Sequence, residues 1–262
     1  MSFMAPVKES FRSEPSSRIC HGCKDGLGLP FDFTMAFQPI VDVRTRRVWA
    51  YEALVRGTAG EGAATILEMV EGNAVYGFDQ ACRVKAVELA GKLFPADDDT
   101  RLSINFMPNA VYQPDACIRA TLNAARRANF RQDRLMFEFT ETEKMRDTAH
   151  VRNIVDAYRR RGFTTAIDDF GAGYAGLGLL AEMQPDVIKL DMAIIRDIDT
   201  SAAKRAIVAA IVKMAADLGI TVVGEGVETH EELETIVSLG IRLCQGYLLA
   251  RPSLEALPLP CW

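Results

Sequence analysis

Beyond residue 100 the chain alternates short apolar runs with longer segments of helical period, a rhythm that few folds accept. The runs at 101–106, 134–140, 163–168, 186–190, 220–225 and 241–246 read as strands. Helical patterns separate them: one that Pro114 can open, one near 144–161, a short one after a glycine loop, and one near 201–218 that Gly219 can close. Thr229 with Glu232 three residues on is a capping box that opens the last helix. Ahead of these lie strands at 33–43 and 47–56, then a helix pair over 63–93 with Phe78, Cys82, Ala86, Leu89 and Leu93 at helical intervals. Only a short turn around Thr45-Arg46 separates the first two strands, so they read as an antiparallel hairpin. Elsewhere the alternation predicts parallel strands joined by crossover helices. At 262 residues a closed α/β barrel fits better than an open sheet. No G-x-G-x-x-G follows the first strand, which weakens a dinucleotide-binding alternative, and no short fixed repeat is present.

A net charge of −5 and 49% hydrophobic residues suit one large domain, 31–262, behind an irregular segment, 1–30, rich in Ser, Pro, Gly and charge. A core of that size needs no disulfide. Cys82, Cys117 and Cys244 sit in apolar periodic segments and read as core residues. Cys20 and Cys23 form a lone Cys-x-x-Cys pair, whose role is structural, metal-binding or redox. Reduced thiols imply a cytoplasmic protein. No segment is apolar enough for a membrane span, and residues 1–30 lack the apolar run of a signal peptide. Mild acidity argues against a DNA or RNA polymer as partner, yet bound metals can reverse the local field for a small phosphate ligand.

The chemistry gathers where the apolar runs end. Asp168 and Asp169 are followed at once by Phe170-Gly171-Ala172-Gly173-Tyr174. Adjacent carboxylates repel, and a divalent cation is the usual means of offsetting that. Glu52, Asn105, Glu138, Lys189 and Glu225 are placed in the same way on other strands. Glu52, Leu54 and Arg56 alternate and so share a strand face, where the acid and the guanidinium either pair or meet a metal and a phosphate. Asn105 is either a turn residue or a hard neutral oxygen ligand. Glu138 lies in an apolar run and needs a salt-bridge partner or a metal. Lys189 and Asp191 are two apart, and they either pair with each other or present the ammonium to a water or phosphate oxygen. Glu225 lies between Gly224 and Gly226, open to a ligand, and Glu228 can serve the N-terminal end of the next helix. Collected at one barrel mouth, these groups point to a metal-dependent active site.

At this point the chain resembles the EAL family, the cyclic di-GMP phosphodiesterases of bacterial signalling. Eight ordered strings carry the resemblance: FQPIVD at 37–42, YEALVRG at 51–57, LSINF at 102–106, FEFTET at 137–142, AIDDFGAGYAGL at 166–177, IKLD at 188–191, GEGVET at 224–229 and QGYLLARP at 245–252. The resemblance implies a modified TIM-type (β/α)8 barrel with its first strand antiparallel, as the hairpin suggests. It implies hydrolysis of cyclic di-GMP to linear pGpG with two Mg2+ or Mn2+ ions, and a homodimer. Glu52, Asn105, Glu138 and Asp168 resemble ligands of the first ion, and Asp169 a ligand of the second. Lys189 resembles the residue that positions the attacking water, Glu225 the general base or a ligand near that water, and Glu141 the acid that holds the glycine loop. Gln38, Leu54 and Arg56 resemble substrate contacts, while Asp191, Glu228 and Gln245 match positions close to the site. The loop departs from the family's frequent GTGYSSL: Ala172, Ala175 and Gly176 remove hydroxyls but no metal ligand.

Overall fold

The structure is a computed structural model and describes residues 29, 31–70, 74–111, 113–140, 148–173 and 176–262. Cys20, Cys23, Glu141 and Ala175 lie outside them. β1 (Phe33–Asp42) pairs antiparallel with β2 (Arg47–Gly57) along its whole length. From β2 the ring runs through β3 (Arg101–Asn105), β4 (Leu135–Thr140), β5 (Thr164–Phe170), β6 (Val187–Leu190), β7 (Thr221–Gly224) and β8 (Leu243–Cys244), each parallel to the last. It closes on the other edge of β1, again antiparallel, and β9 (Ser253–Leu254) adds to that edge. The expected barrel with one reversed strand is therefore what forms.

Around it lie α1 (Ala63–Glu68), α2 (Ala74–Leu93), α3 (Pro114–Cys117), α4 (Arg119–Arg127), α5 (Thr148–Arg159), α6 (Gly176–Glu182), α7 (Met192–Ile195), α8 (Ala202–Leu218) and α9 (His230–Ser238). Local signals act as read. Pro114 starts α3, Gly219 ends α8 in the left-handed conformation at φ 72°, and Thr229 with Glu232 caps α9 reciprocally. Two strand readings shift most: the last is only Leu243–Cys244, and the strand expected to end at Asp168 extends to Phe170, so Asp169 lies within it and not after it. Cys117 and Cys244 are buried as expected, Cys82 only half so, and all the described cysteines are free. Among the described residues no helix is long and apolar enough to cross a membrane.

The barrel interior is layered by the period of two. One buried cluster comprises Ile40, Ala50, Met136, Ala166, Val187, Val223 and Leu243, one residue from each of seven strands. Two residues further along the parallel strands and their exits stand Glu52, Glu138, Asp168, Lys189, Glu225 and Gln245. On β1, which runs the other way, the same step is taken backwards, from Ile40 to Gln38. Side chains two apart share a strand face. The apolar plug thus sits directly beneath a layer of polar groups at the strands' C-terminal rim.

The β1–β2 turn is fixed by Asp42. Its Oδ1 accepts from the amides of Arg44 at 3.0 Å and Thr45 at 3.2 Å, while Arg46 takes a left-handed φ of 54°. Its Oδ2 accepts from Arg242 Nε at 2.7 Å, tying β1 to the start of β8. The Arg242 guanidinium holds this carboxyl well below the usual carboxylate range. A depressed pKa stabilises the fold above the unfolded value of about 3.9, and that contribution is lost as the pH falls. Asp42→Asn is expected to lower the melting temperature by a few degrees at pH 7, and the gap should close in acid when followed by circular dichroism.

Candidate active site

One ammonium organises the rim. Lys189 Nζ lies 2.7 Å from Glu225 Oε1, 2.9 Å from Asp168 Oδ1, 3.0 Å from Glu138 Oε2 and 3.3 Å from Glu52 Oε2. Asn105 Nδ2 donates to Glu52 Oε1 at 3.1 Å. Gln245 Nε2 donates to Glu52 Oε2 at 2.8 Å and to Gln38 Oε1 at 3.2 Å, and Gln38 Nε2 in turn donates to the Ala250 carbonyl. Register explains the convergence: Gln38 faces Glu52 across β1–β2, and Asn105 faces Glu138 across β3–β4.

The charges do not balance. Four carboxylates surround one ammonium, and Glu138 and Lys189 are essentially inaccessible to water. Burial pushes the Glu138 carboxyl up to about 8; Lys189 opposes this, while Glu52 and Asp168 add to it. Burial and Asp168 likewise raise Glu225 well above the usual carboxylate range. Burial opposes the charge on Lys189, but Asp168, Glu138, Glu225 and Glu52 together hold its pKa well above the ordinary lysine value. Glu138 Oε1 is buried without a hydrogen-bond partner. A buried, unpartnered carboxylate oxygen in an acid-rich pocket is the donor chemistry that a hard divalent cation takes up.

Asp168 and Asp169 show how neighbours in one strand reach one site. In a regular strand they would point to opposite faces. Here the β5–β6 register shifts between Ile167 and Phe170, and Asp169 adopts a left-handed φ of 51°. That bulge turns Asp169 back to the rim. Carboxylate oxygens of Asp168, Asp169 and Glu225 then lie within 4.8 Å of one another, as do those of Glu52, Glu138 and Asp168. Asp168 belongs to both groups, so the residues suit two neighbouring cations. Burial and the charges of Asp168 and Asp191 raise Asp169 to about 6.

Other expected residues divide. Gln38, Asp191, Glu228 and Gln245 line a cleft of about 230 Å3 above the ammonium. Asp191 does not pair with Lys189; it caps α7, accepting from the Ala193 amide at 2.7 Å. Glu228 pairs with Arg196, not with the α9 terminus. Leu54 borders an adjoining apolar cavity of about 400 Å3, beside Asn105. Arg56 does not pair with Glu52; its guanidinium donates to the Val55 carbonyl at 2.7 Å and is not among the residues lining the cleft.

Three cleft residues were not singled out from the sequence: Met192, Gly246 and Tyr247. Gly246 has a clear physical role. A Cβ there would lie 2.0 Å from the Val227 carbonyl oxygen and 2.3 Å from its amide nitrogen. This close backbone approach sets Gln245 against Glu52. Gly246→Ala is expected to destabilise the fold by about 3 kcal/mol, because backbone must move, with the loss read as a lower urea midpoint.

The EAL domain profile matches residues 31–252. The chain is 32% identical over 263 residues to the blue light- and temperature-regulated antirepressor BluF of Escherichia coli K12, covering 99% of this chain and 64% of that protein. It is 29% identical to the cyclic di-GMP phosphodiesterase PA2567 of Pseudomonas aeruginosa, over 87% of this chain and 40% of that one. It therefore spans less than two thirds of each of these relatives. Among solved structures, a standalone versatile EAL protein from Vibrio cholerae O395, in its c-di-GMP-bound form, superposes with a TM-score of 0.85 at 48% identity, over 89% of this chain and 98% of that one. A Klebsiella pneumoniae BlrP1 manganese/cy-diGMP complex gives 0.83 at 40% identity, over 89% and 59%. Profile, sequence and barrel geometry coincide over the same stretch, and this chain belongs to the EAL domain family.

Proposed function

We propose that this chain hydrolyses one phosphodiester of cyclic di-GMP, releasing linear pGpG, with two Mg2+ or Mn2+ ions bound at the rim. The observation that carries this reading is the pair of carboxylate groups sharing Asp168 around a buried centre with more acids than its one ammonium can balance. Glu52, Asn105, Glu138 and Asp168 would hold one ion, and Asp169 the other. Bound divalent cations supply a hydroxide-like nucleophile at neutral pH and offset charge on the phosphate oxygens. The residues of the chain do the rest. Lys189 donates hydrogen bonds toward the attacking water, and Glu225, 2.7 Å from the Lys189 ammonium and made more basic by burial, is placed to take its proton. Gln38, Asp191, Glu228 and Gln245 line the substrate cleft; Leu54 and Arg56, on β2, are taken as further substrate contacts, and Glu141 as the acid that holds the glycine loop. The reading extends to a cytoplasmic homodimer. Its support is the outer face of α8, where Ile207 is 51% and Leu218 44% exposed among alanines.

A second reading is a cyclic di-GMP receptor or protein-interaction module that does not cut, favoured by the likeness to an antirepressor over 99% of the chain. Purified protein incubated with cyclic di-GMP, with and without Mn2+, separates the two by chromatography. Metal-dependent pGpG supports the enzyme. Nucleotide retained uncut supports the receptor. Neither binding nor cleavage overturns both.

A further inference from the structure

A second charged network adjoins the cleft, apart from the carboxylate cluster. α7 follows β6 directly, lasts four residues and ends at Arg196. Arg196 Nη1 lies 2.7 Å from Glu228 Oε2 and 3.8 Å from Glu232 Oε1. Glu232 is buried and its carboxylate already accepts three backbone amides, from Asp197, Glu228 and Thr229. Glu228 has no such set of donors, so the guanidinium's close partner is Glu228. Glu228 in turn borders the cleft.

The backbone around Arg196 is held from the first turn of α8. Lys204 Nζ donates to the Arg196 carbonyl, and Arg205 Nη1 donates to the carbonyls of Ile198 at 3.0 Å and Asp199 at 2.6 Å. On the cleft side, α7 packs against the loop that carries Glu228. Gly226, at φ 66°, lies so near Met192 that a Cβ would come within 2.3 Å of the methionine Cβ. The loop is therefore held from both sides, by a packed Gly226–Met192 contact and by a charge-assisted bond.

We infer that Arg196 is a positioning residue, holding Glu228 over the cleft as an acceptor for the N–H edge of a bound purine, with Lys204 and Arg205 fixing Arg196 from α8. The inference deepens the proposed reading and rests on it. A carboxylate only accepts, so it selects a base that presents adjacent donors. Guanine offers N1–H and a 2-amino group, whereas adenine has an acceptor at N1. The Arg196 guanidinium also keeps Glu228 below its usual carboxylate range, so the acceptor stays charged at working pH.

The test compares wild type, Arg196→Gln, Arg196→Lys, Glu228→Gln and the Arg196→Gln/Glu228→Gln double variant in Mn2+-supported hydrolysis, with cyclic di-AMP as competitor. Arg196→Gln is expected to raise KM about tenfold with kcat within about twofold, and to let cyclic di-AMP compete more effectively. Arg196→Lys keeps the charge without the fork and should recover part of that selectivity. The double variant should be no worse than Glu228→Gln alone, because both changes remove one interaction. Wild-type KM and selectivity in Arg196→Gln would overturn the inference while leaving the hydrolase reading standing. A parallel fall of kcat and melting temperature with selectivity intact would reduce Arg196 to a structural role, and also overturns it. A wild-type protein that does not turn over cyclic di-GMP overturns both.

Discussion

Lys189→Met is expected to destabilise the metal-free protein by about 3–5 kcal/mol, the range for removing one partner of a buried ionic group. For a chain of this size that is a fall of about 10 °C in melting temperature. The reason is specific. Methionine matches the stem of the side chain, so packing is little changed, but Glu52, Glu138, Asp168 and Glu225 lose their shared counter-charge. Glu138 and Glu225, which burial already raises, then lose the ammonium that opposes that rise. Such groups stabilise the fold below their unfolded pKa, and the contribution is lost as the pH rises through the folded value. The variant should therefore be more stable at pH 5.5 than at pH 8 in urea titrations, the opposite trend to that expected from Asp42. Mn2+ should restore part of the loss by binding the folded state. Wild-type stability in metal-free buffer at pH 8 would show that the four acids do not depend on this ammonium.

On the proposed function, Glu52→Gln is expected to remove turnover of cyclic di-GMP, by about a thousandfold or more, while leaving the fold intact. Glu52 accepts at both oxygens, from Asn105 on one and from Gln245 and Lys189 on the other. Glutamine can accept at only one, so a donor must face a donor, a mismatch of about 1–2 kcal/mol. Against this, the substitution removes one negative charge from an over-charged pocket, so the two effects partly cancel in stability. They do not cancel in function, because an amide is a poorer cation ligand than a carboxylate. The paired measurement is decisive: melting temperature with and without Mn2+, and pGpG formation. Full activity in Glu52→Gln would remove it from the ligand set.

Much of this site was legible because a β-strand's period is so simple. Ala50-Tyr51-Glu52, Met136-Phe137-Glu138, Val187-Ile188-Lys189 and Val223-Gly224-Glu225 each place a small or apolar residue two positions before a polar one. Strand-end acids at a barrel rim could thus be collected from spacing alone, and the antiparallel first strand followed from a short turn. Asp169 was placed at the site for a different reason than the true one. The sequence puts it after a strand, whereas a bulge inside β5 and a left-handed residue turn it inward. Nothing in the local pattern announces a bulge between Ile167 and Phe170. Arg196 was invisible for a related cause. Its partner Glu228 is 32 positions away, and only the packing of α7 against the Gly226 loop brings them together. Of the two readings open for Lys189 and Asp191, the mutual pair does not form: four acids on other strands and their exits meet the ammonium, while Asp191 caps α7 and lines the cleft.

The ring is not sewn equally tightly all round. β1 meets β2 through ten residue pairs, but its register with β8 is just Val41↔Cys244 and Asp42↔Leu243, continued by the Val43 amide on the Arg242 carbonyl and the Asp42–Arg242 contact. Past those two rungs the seam is bridged at the rim by the Gln245–Gln38 amide contact and the Gln38 bond to Ala250. Local opening is governed by how many backbone bonds must break at once. Amide hydrogen exchange should consequently run fastest along this seam, and anything that occupies the cleft above it will slow that breathing from one side.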